Sequence, residues 1–374
     1  MDDEARATGL GPAPDRAQLR RRGRRSPYNR PRRHGETGGA DISGPTYAAL
    51  DLGTNNCRLL VARPTRDGFR VVDAFSRIIR LGEGITASGR LSDAAILRAI
   101  DALHVCRSKI RNRGVTRTRL IATEACRSAE NGRDFLARVR EEVGIDLEIV
   151  DRGTEAHLAA LGCTPLIDPQ SAGVILFDIG GGSSELVRLD RSVPHKFGPP
   201  RPEVRNWISL PVGVVTIAER HGGVDVSRAL YETIIAEVSA HVARFAETDG
   251  GAIEGLHLLG TSGTVTTIAG VHLNLPRYER RWVDGCWMND EQVTAVVERL
   301  LTMSYDERAA NPCIGPERAD LVLAGCAILD AIRRAFPCRR LRVADRGLRE
   351  GMLVQMMRED GVWGRDARRT PDER

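Results

Sequence analysis

Apolar positions along this chain come in short runs of strand length, separated by longer stretches with helical spacing. Two runs carry the same interruption. Residues Val174-Ile-Leu-Phe-Asp-Ile-Gly-Gly-Gly-Ser-Ser-Glu-Leu-Val-Arg188 break at Asp178, pass through Gly180 to Gly182 and two hydroxyls, and turn apolar again at Leu186. Residues Tyr47-Ala-Ala-Leu-Asp-Leu-Gly-Thr-Asn-Asn-Cys-Arg-Leu-Leu-Val61 align with them without a gap when shifted by 127 positions. Asp51 then falls on Asp178, Gly53 on Gly180, Cys57 on Ser184 and Leu59 on Leu186. Strand, Gly-rich turn and strand predict a hairpin. A supersecondary unit repeated at so long a period predicts a duplicated domain.

The rest of the pattern fits that duplication. Residues 46–80 predict three strands, at 47–52, 58–63 and 69–75, with Arg66-Asp67-Gly68 as the second turn. Ser92 caps a helix running to about residue 111, and Asp93 suits its first turn. A strand at 120–123, a helix at about 131–143 and a strand at 147–150 follow. Thr154 is the expected cap of a helix running from Glu155 to about residue 161. The second copy opens near Cys163, and after its hairpin the Pro- and Arg-rich residues 190–205 predict an exposed excursion. A strand resumes at 207–210, with helices at about 214–221 and 226–247. The strand-like residues 255–260 run into Thr261-Ser262-Gly263-Thr264, a third turn of glycine and hydroxyls. Helices at about 264–272, 289–303 and 317–336, a strand at 341–344 and a final helix opening within 345–351 complete the chain. Such alternation predicts an α/β fold of two duplicated lobes, each a mixed sheet flanked by helices, with a cleft between them. The expected division is a disordered Arg-rich tail at 1–45, an N-terminal lobe at 46–162, a C-terminal lobe at 163–352 and a terminal helix with a frayed tail at 353–374.

Composition adds little to this until the charge is located. The net charge of +5 lies wholly in residues 1–40, which hold ten Arg and five acids and leave 45 of each sign in residues 41–374. The tail's Arg clusters suit either contact with RNA or an acidic surface, or a solvated segment with no fixed role. The eight cysteines show no C-x₂-C spacing and read as reduced, buried thiols. No run of 18 apolar residues predicts a membrane span, and the N-terminus carries no apolar leader, so the expected location is the cytoplasm.

The repeated turn suggests chemistry. Glycines at a hairpin tip let backbone approach a ligand, and fanned N–H groups make an anion site. A carboxylate such as Asp178 beside a phosphate repels it unless a cation stands between, which implies Mg²⁺. No Lys follows the glycines, so this is not a P-loop. Two such hairpins facing one another would hold a polyphosphate chain in the cleft. The alternative is two ordinary hairpins with Gly-rich turns.

Six stretches together resemble the exopolyphosphatase/guanosine pentaphosphate phosphohydrolase family of the actin-like (ribonuclease H-like) superfamily. They are Ala49-Leu-Asp-Leu-Gly-Thr-Asn55, Ala122-Thr-Glu-Ala-Cys-Arg127, Gly153-Thr-Glu-Ala156, Phe177-Asp-Ile-Gly-Gly-Gly-Ser-Ser-Glu-Leu-Val187, Gly260-Thr-Ser-Gly-Thr264 and Leu348-Arg-Glu-Gly351. The resemblance implies actin-like lobes, an active site between them, a homodimer, and release of terminal phosphate from polyphosphate or pppGpp. It implies Asp178, Glu185 and Asp51 as Mg²⁺ ligands. It implies a phosphate cradle of Gly53, Thr54, Asn55 and Asn56 on one lobe. Gly180, Gly181, Gly182, Ser183, Ser184 and Gly263 complete that cradle on the other. Arg127 would grip a phosphate, and Glu155, in a helix first turn that favours its ionised form, would be the general base, with Glu124 next in line. Cys57 stands where the family often has Ser. Longer relatives continue into a helical region for which the 23 residues after Gly351 are too few. Two other readings remain open: a kinase or ATPase of the same superfamily, and a non-enzymatic nucleotide sensor or RNA-associated factor.

Overall fold

A computed structural model of the chain describes residues 45–190, 198–249 and 254–363. The expected N-terminal tail and the last 11 residues therefore fall almost entirely outside it, as does the middle of the 190–205 excursion. The described chain builds two sheets. The first has five strands, β1 (Tyr47–Leu52), β2 (Asn56–Thr65), β3 (Gly68–Ile78), β4 (Arg117–Ala122) and β5 (Glu148–Ile149), in spatial order β3-β2-β1-β4-β5. The second has six, β6 (Gly173–Ile179), β7 (Ser184–Asp190), β8 (Glu203–Leu210), β9 (Leu256–Thr261), β10 (Trp287–Asn289) and β11 (Arg340–Ala344), in order β10-β11-β9-β6-β7-β8. Without β10, the second order reproduces the first.

The correspondence holds residue by residue. Asp51 pairs across its hairpin with Arg58 and Leu52 with Cys57; Asp178 pairs with Glu185 and Ile179 with Ser184. Both pairings carry the 127-residue offset seen in the sequence. The central strands are apolar on both faces because both faces are covered. In β1, Ala48, Leu50 and Leu52 pack beneath the helices Asp93–Asn112 and Gly132–Val143, while Tyr47 and Ala49 face the other way. In β6, Ile175, Phe177 and Ile179 enter the large core of the second lobe, while Val174 and Leu176 face a separate cluster.

Those second faces are covered by exchanged helices. Helix Arg152–Cys163, from the first half of the chain, lays Ala156, Ala160 and Cys163 on the second sheet. Helix Leu348–Glu359, from the second half, lays Met352, Leu353, Met356 and Met357 on the first. The two cross in close contact. A methyl on Gly162 would lie 1.9 Å from Gly347 O, and one on Gly351 1.9 Å from Leu158 O. Backbone cannot yield as a side chain does, so only glycine fits at this crossing. A bidentate Arg80–Asp320 ion pair at 2.9 Å and a Gly84 N–H donated to Glu219 Oε1 at 2.7 Å also tie the lobes together.

Most predicted elements are present, but β8 opens at Glu203, inside the expected 190–205 excursion, and the helix expected at 317–336 opens only at Val322. Helix Arg152–Cys163 begins earlier than expected. Its cap is Asp151, which accepts from Thr154 N and Thr154 Oγ1, both at 2.8 Å, so Thr154 is capped rather than capping. Strand β10 and the short helices Ile85–Ser88, Arg280–Val283 and Tyr305–Ala310 carry no pattern long enough to have been read.

Candidate active site

Both Gly-rich turns end at the cleft between the lobes, at the carboxyl ends of β1 and β6, where open α/β sheets place ligands. They close identically. Gly53 N donates to Asn56 O and Gly180 N to Ser183 O, both at 2.9 Å, so the offset extends to the turn's own hydrogen bond. The two tips touch: a methyl on Gly181 would meet Thr54 Cβ at 2.9 Å and Asn55 N at 3.2 Å. Beneath them lies a cavity of about 110 Å³ lined by both turns and by Asp51, Arg58, Glu124, Glu155, Asp178, Glu185, Ser262, Asp345 and Arg349. A smaller pocket of about 50 Å³ shares Asn55, Asn56, Gly180 and Gly181 with it and extends past Gly263 to Arg318.

Six carboxylates line this cavity, and burial raises the proton affinity of Asp51, Glu155, Asp178, Glu185 and Asp345. Asp178 is pushed up to about 6 by burial and by Asp51, against Arg58 and the Ser262 hydroxyl. Glu185 rises to about 7 through burial and Asp178, although Ser183 and Ser209 each donate to its Oε1 at 2.8 Å. Asp51 is also raised, by burial first, against the pull of Arg58 and Arg349. Glu155 is raised well above the ordinary carboxylate range by burial and then by Glu185. This runs opposite to the effect expected from its helix N-terminus: desolvation outweighs the dipole. Ser262, which enters helix Ser262–His272, takes the left-handed φ of 82°, a strained conformation of the kind found at working sites.

Three arginines line the cavity with the acids: Arg346, which is ion-paired with Asp284, and two others. Arg58 stands opposite Asp51 on β2, and Arg349 is the second residue of helix Leu348–Glu359. Among the described residues neither guanidinium is hydrogen-bonded or ion-paired to another side chain or to backbone, although both line the cavity. Both guanidinium groups, one from each half of the chain, stand beside Asp51 with their donors unspent. Neither was singled out from sequence. Arg58 is hidden by the abundance of Arg, but the pairing partner of Asp51 in a predicted hairpin could have been found by counting. Arg349 lay inside a quoted stretch with no role attached.

The remaining acids divide clearly. Glu124 is saturated: its Oε2 accepts from Arg127 Nη2 at 2.5 Å and Nε at 3.1 Å, and its Oε1 from Arg152 Nη2 at 2.9 Å. Glu155 has one oxygen engaged. Its Oε2 accepts from Arg127 Nη2 and Nη1 at 3.2 and 3.3 Å, while Oε1 has no partner among the described residues. Arg127 also donates to Val150 O at 2.6 Å and does not line the cavity. The expected phosphate-gripping arginine thus spends its donors on two glutamates and a carbonyl.

Most of the expected cradle is at the cleft: Gly53, Thr54, Asn55, Asn56, Gly180, Gly181, Gly182 and Ser183 all line the cavity. Ser184 does not, because strand alternation turns it away from Glu185's face, and its Oγ donates to Val212 O at 2.7 Å. Cys57 is likewise buried, with Sγ 3.8 Å from Cys106 Sγ. Gly263 belongs to the adjoining pocket. Asn55 and Asn56 each bury an amide oxygen with no partner.

No three His, Cys, Asp or Glu side chains among the described residues converge into a ready-made metal cage. The donor set still fits Mg²⁺, which takes one or two carboxylates and completes its shell with water and substrate phosphate. Buried carboxylates without enough counter-charge are what such a cation would relieve.

Residues 60–360 match the model of the Ppx/GppA phosphatase family. The chain is 26% identical over 328 residues to exopolyphosphatase 2 of Mycobacterium tuberculosis (strain ATCC 25618 / H37Rv), covering 83% of this chain and 98% of that one. It is 27% identical over 319 residues to the guanosine-5'-triphosphate,3'-diphosphate pyrophosphatase of Aeromonas hydrophila, covering 84% of this chain and 60% of that one. The crystal structure of the Aquifex aeolicus Ppx/GppA family member superposes with a TM-score of 0.70 at 28% identity, over 84% of this chain and 98% of that one. An exopolyphosphatase from Cytophaga hutchinsonii superposes with a TM-score of 0.76 at 22% identity, over 84% of this chain, which speaks to the fold alone. The two lobes are those of these structures, each an actin-like sheet flanked by helices.

Proposed function

Because the chain belongs to the Ppx/GppA phosphatase family, we propose that its cleft hydrolyses the terminal phosphoanhydride of a linear phosphate chain, either inorganic polyphosphate or the 5′-triphosphate of pppGpp. The observation that carries this reading is the pair of unpaired guanidinium groups, Arg58 and Arg349, set across one cavity from buried acids. A terminal phosphate is a concentrated anion, and two guanidinium groups beside Asp51 match its charge.

The terminal phosphate is held by Arg58 and Arg349 and by the turn N–H groups, whose fan suits three equatorial oxygens. Glu155 Oε1, open to the cavity, takes the proton from a water that attacks the terminal phosphorus; the bond to the bridging oxygen breaks and orthophosphate leaves. Burial and the neighbouring Glu185 raise the proton affinity of Glu155, which makes it a stronger base than an exposed carboxylate. Mg²⁺, held by Asp178 and Glu185 with Asp51 reaching it directly or through water, would neutralise charge developing on the phosphate oxygens. Glu124, which accepts from both Arg127 and Arg152, is less open than Glu155.

The test is a rate comparison on the purified chain with Mg²⁺, using short polyphosphate, long polyphosphate and pppGpp against ATP with sugar acceptors. Orthophosphate release from one of the first three, with no sugar phosphorylation, is expected. Sugar-dependent ATP consumption, or tight binding of all substrates without turnover, would overturn the reading.

A further inference from the structure

Arg127 sits behind Glu155 rather than in the cavity. From this placement we infer that Arg127 is a positioning residue, which holds the base's Oε2 so that Oε1 stays aimed into the cleft, and that it does not contact substrate. The inference rests on the reading of Glu155 as general base.

Three observations support it. Arg127 meets Glu155 through two nitrogens on a single oxygen, at 3.2 and 3.3 Å, which fixes the carboxyl plane while leaving the other oxygen free. The guanidinium is itself fixed from three sides, by Val150 O at 2.6 Å, by Glu124 Oε2 at 2.5 Å and by Glu155. Glu124 is held in turn by Arg152, which donates to its Oε1 at 2.9 Å. The chain of contacts Arg152–Glu124–Arg127–Glu155 therefore runs from the exposed start of helix Arg152–Cys163 to the base. Its two carboxylates and two guanidinium groups balance in charge. With its donors so engaged, Arg127 has none turned to the cavity, whereas Arg58 and Arg349 keep theirs open.

A double-mutant cycle on the full chain, with tripolyphosphate as the probe and thermal melting as the folding control, tests this. Arg127→Gln is expected to lower kcat about tenfold or more with KM within about twofold, the scale of a misplaced catalytic group. Arg127→Lys should recover part of the loss. Adding Arg127→Gln to Glu155→Gln should cost nothing further, because there is no base left to aim. Methylguanidine should restore turnover to Arg127→Ala in a saturable way, which a folding defect would not allow. Equal losses in both backgrounds, or a KM raised tenfold at unchanged kcat, would place Arg127 on the substrate and overturn the inference while leaving Glu155 as base. Near-normal turnover of Glu155→Gln alone would remove the base, and the inference with it.

Discussion

The two halves of this chain share a fold to the level of individual hydrogen bonds, yet they bring opposite charges to the cleft. In the first half the hairpin pairs Asp51 with Arg58, and the exchanged helix presents Glu155. In the second the hairpin pairs Asp178 with Glu185, and the exchanged helix presents Arg349. Of these six residues each half supplies two acids and one arginine, with the arginine moved from hairpin to helix. Duplication alone would have set like against like across the pseudo-symmetric cleft. The swap instead puts the two arginines, Arg58 on β2 and Arg349 on helix Leu348–Glu359, on the side of Asp51, because that helix covers the first sheet. Glu185 pairs with Asp178 on the other hairpin, and Glu155 faces Glu185. The two open arginines thus flank Asp51, while Asp178 and Glu185 pair on the facing hairpin.

The strongest way to break this comparison is to undo the swap. Arg58→Glu gives the first hairpin the acid pair of the second, removing a cation and adding one more acid to the cavity. A loss of roughly a thousandfold in kcat/KM for polyphosphate is expected, combining a lost charge-assisted contact with like-charge repulsion. Neutralising one arginine at a time should be milder. Arg58→Gln and Arg349→Gln should each lower kcat/KM by roughly tenfold to a hundredfold, and the two losses should be similar if both guanidinium groups hold one anion.

A stability difference between the halves follows from another register-equivalent pair. Arg117 pairs in register with Tyr47 in the first half, and His257 with Val174 in the second. Arg117 is exposed, whereas His257 is fully buried, and burial holds its proton affinity down to about 4 against an ordinary 6.5. The unfolded chain therefore binds the proton more readily between pH 6.5 and 4, so His257 costs stability as pH falls through that window. Asp178 and Glu185 shift the other way, so the readout is a difference. From pH 7 to 4.5 wild type should lose about 2 kcal/mol more than His257→Gln, measured by urea unfolding. Equal pH slopes in the two proteins would show that His257 does not carry this sensitivity. The smallest effect is expected at Ser184→Ala, which should destabilise by about 1 kcal/mol through the loss of the bond to Val212 O and leave turnover unchanged. A large loss of turnover there would return Ser184 to the cradle.

What the sequence disclosed follows from the range of each interaction. The hairpins, their registers and the duplication were legible because strand pairing at a turn is local, and because β1 and β6 are buried on both faces and so read as continuous apolar runs. Asp51 and Asp178 were legible as charges interrupting those runs, whereas Glu155 stood out only through the family resemblance. The helix exchange was not, because nothing in the composition of 152–163 or 348–359 says which sheet each helix covers; only Gly162 and Gly351, glycines inside helices, mark the crossing. Arg349 was missed for that reason: its place in the cleft depends on a contact between chain segments some 300 residues apart. Arg127 was read as a phosphate grip because a sequence cannot show that Glu124, three residues earlier, and Glu155 take its donors first. Ser184 was misplaced by treating a turn as a ring of equivalent hydroxyls, when its membership of β7 already fixed it to the face away from Glu185.

The central claim is that two charge-swapped halves close on one phosphate chain and that Glu155 directs water at its end. The most direct test is Glu155→Gln with tripolyphosphate, measuring binding and turnover on the same preparation. The account predicts binding at least as tight as wild type, since a buried negative charge has been removed, and turnover lower by about a hundredfold or more. Turnover near that of wild type would contradict it.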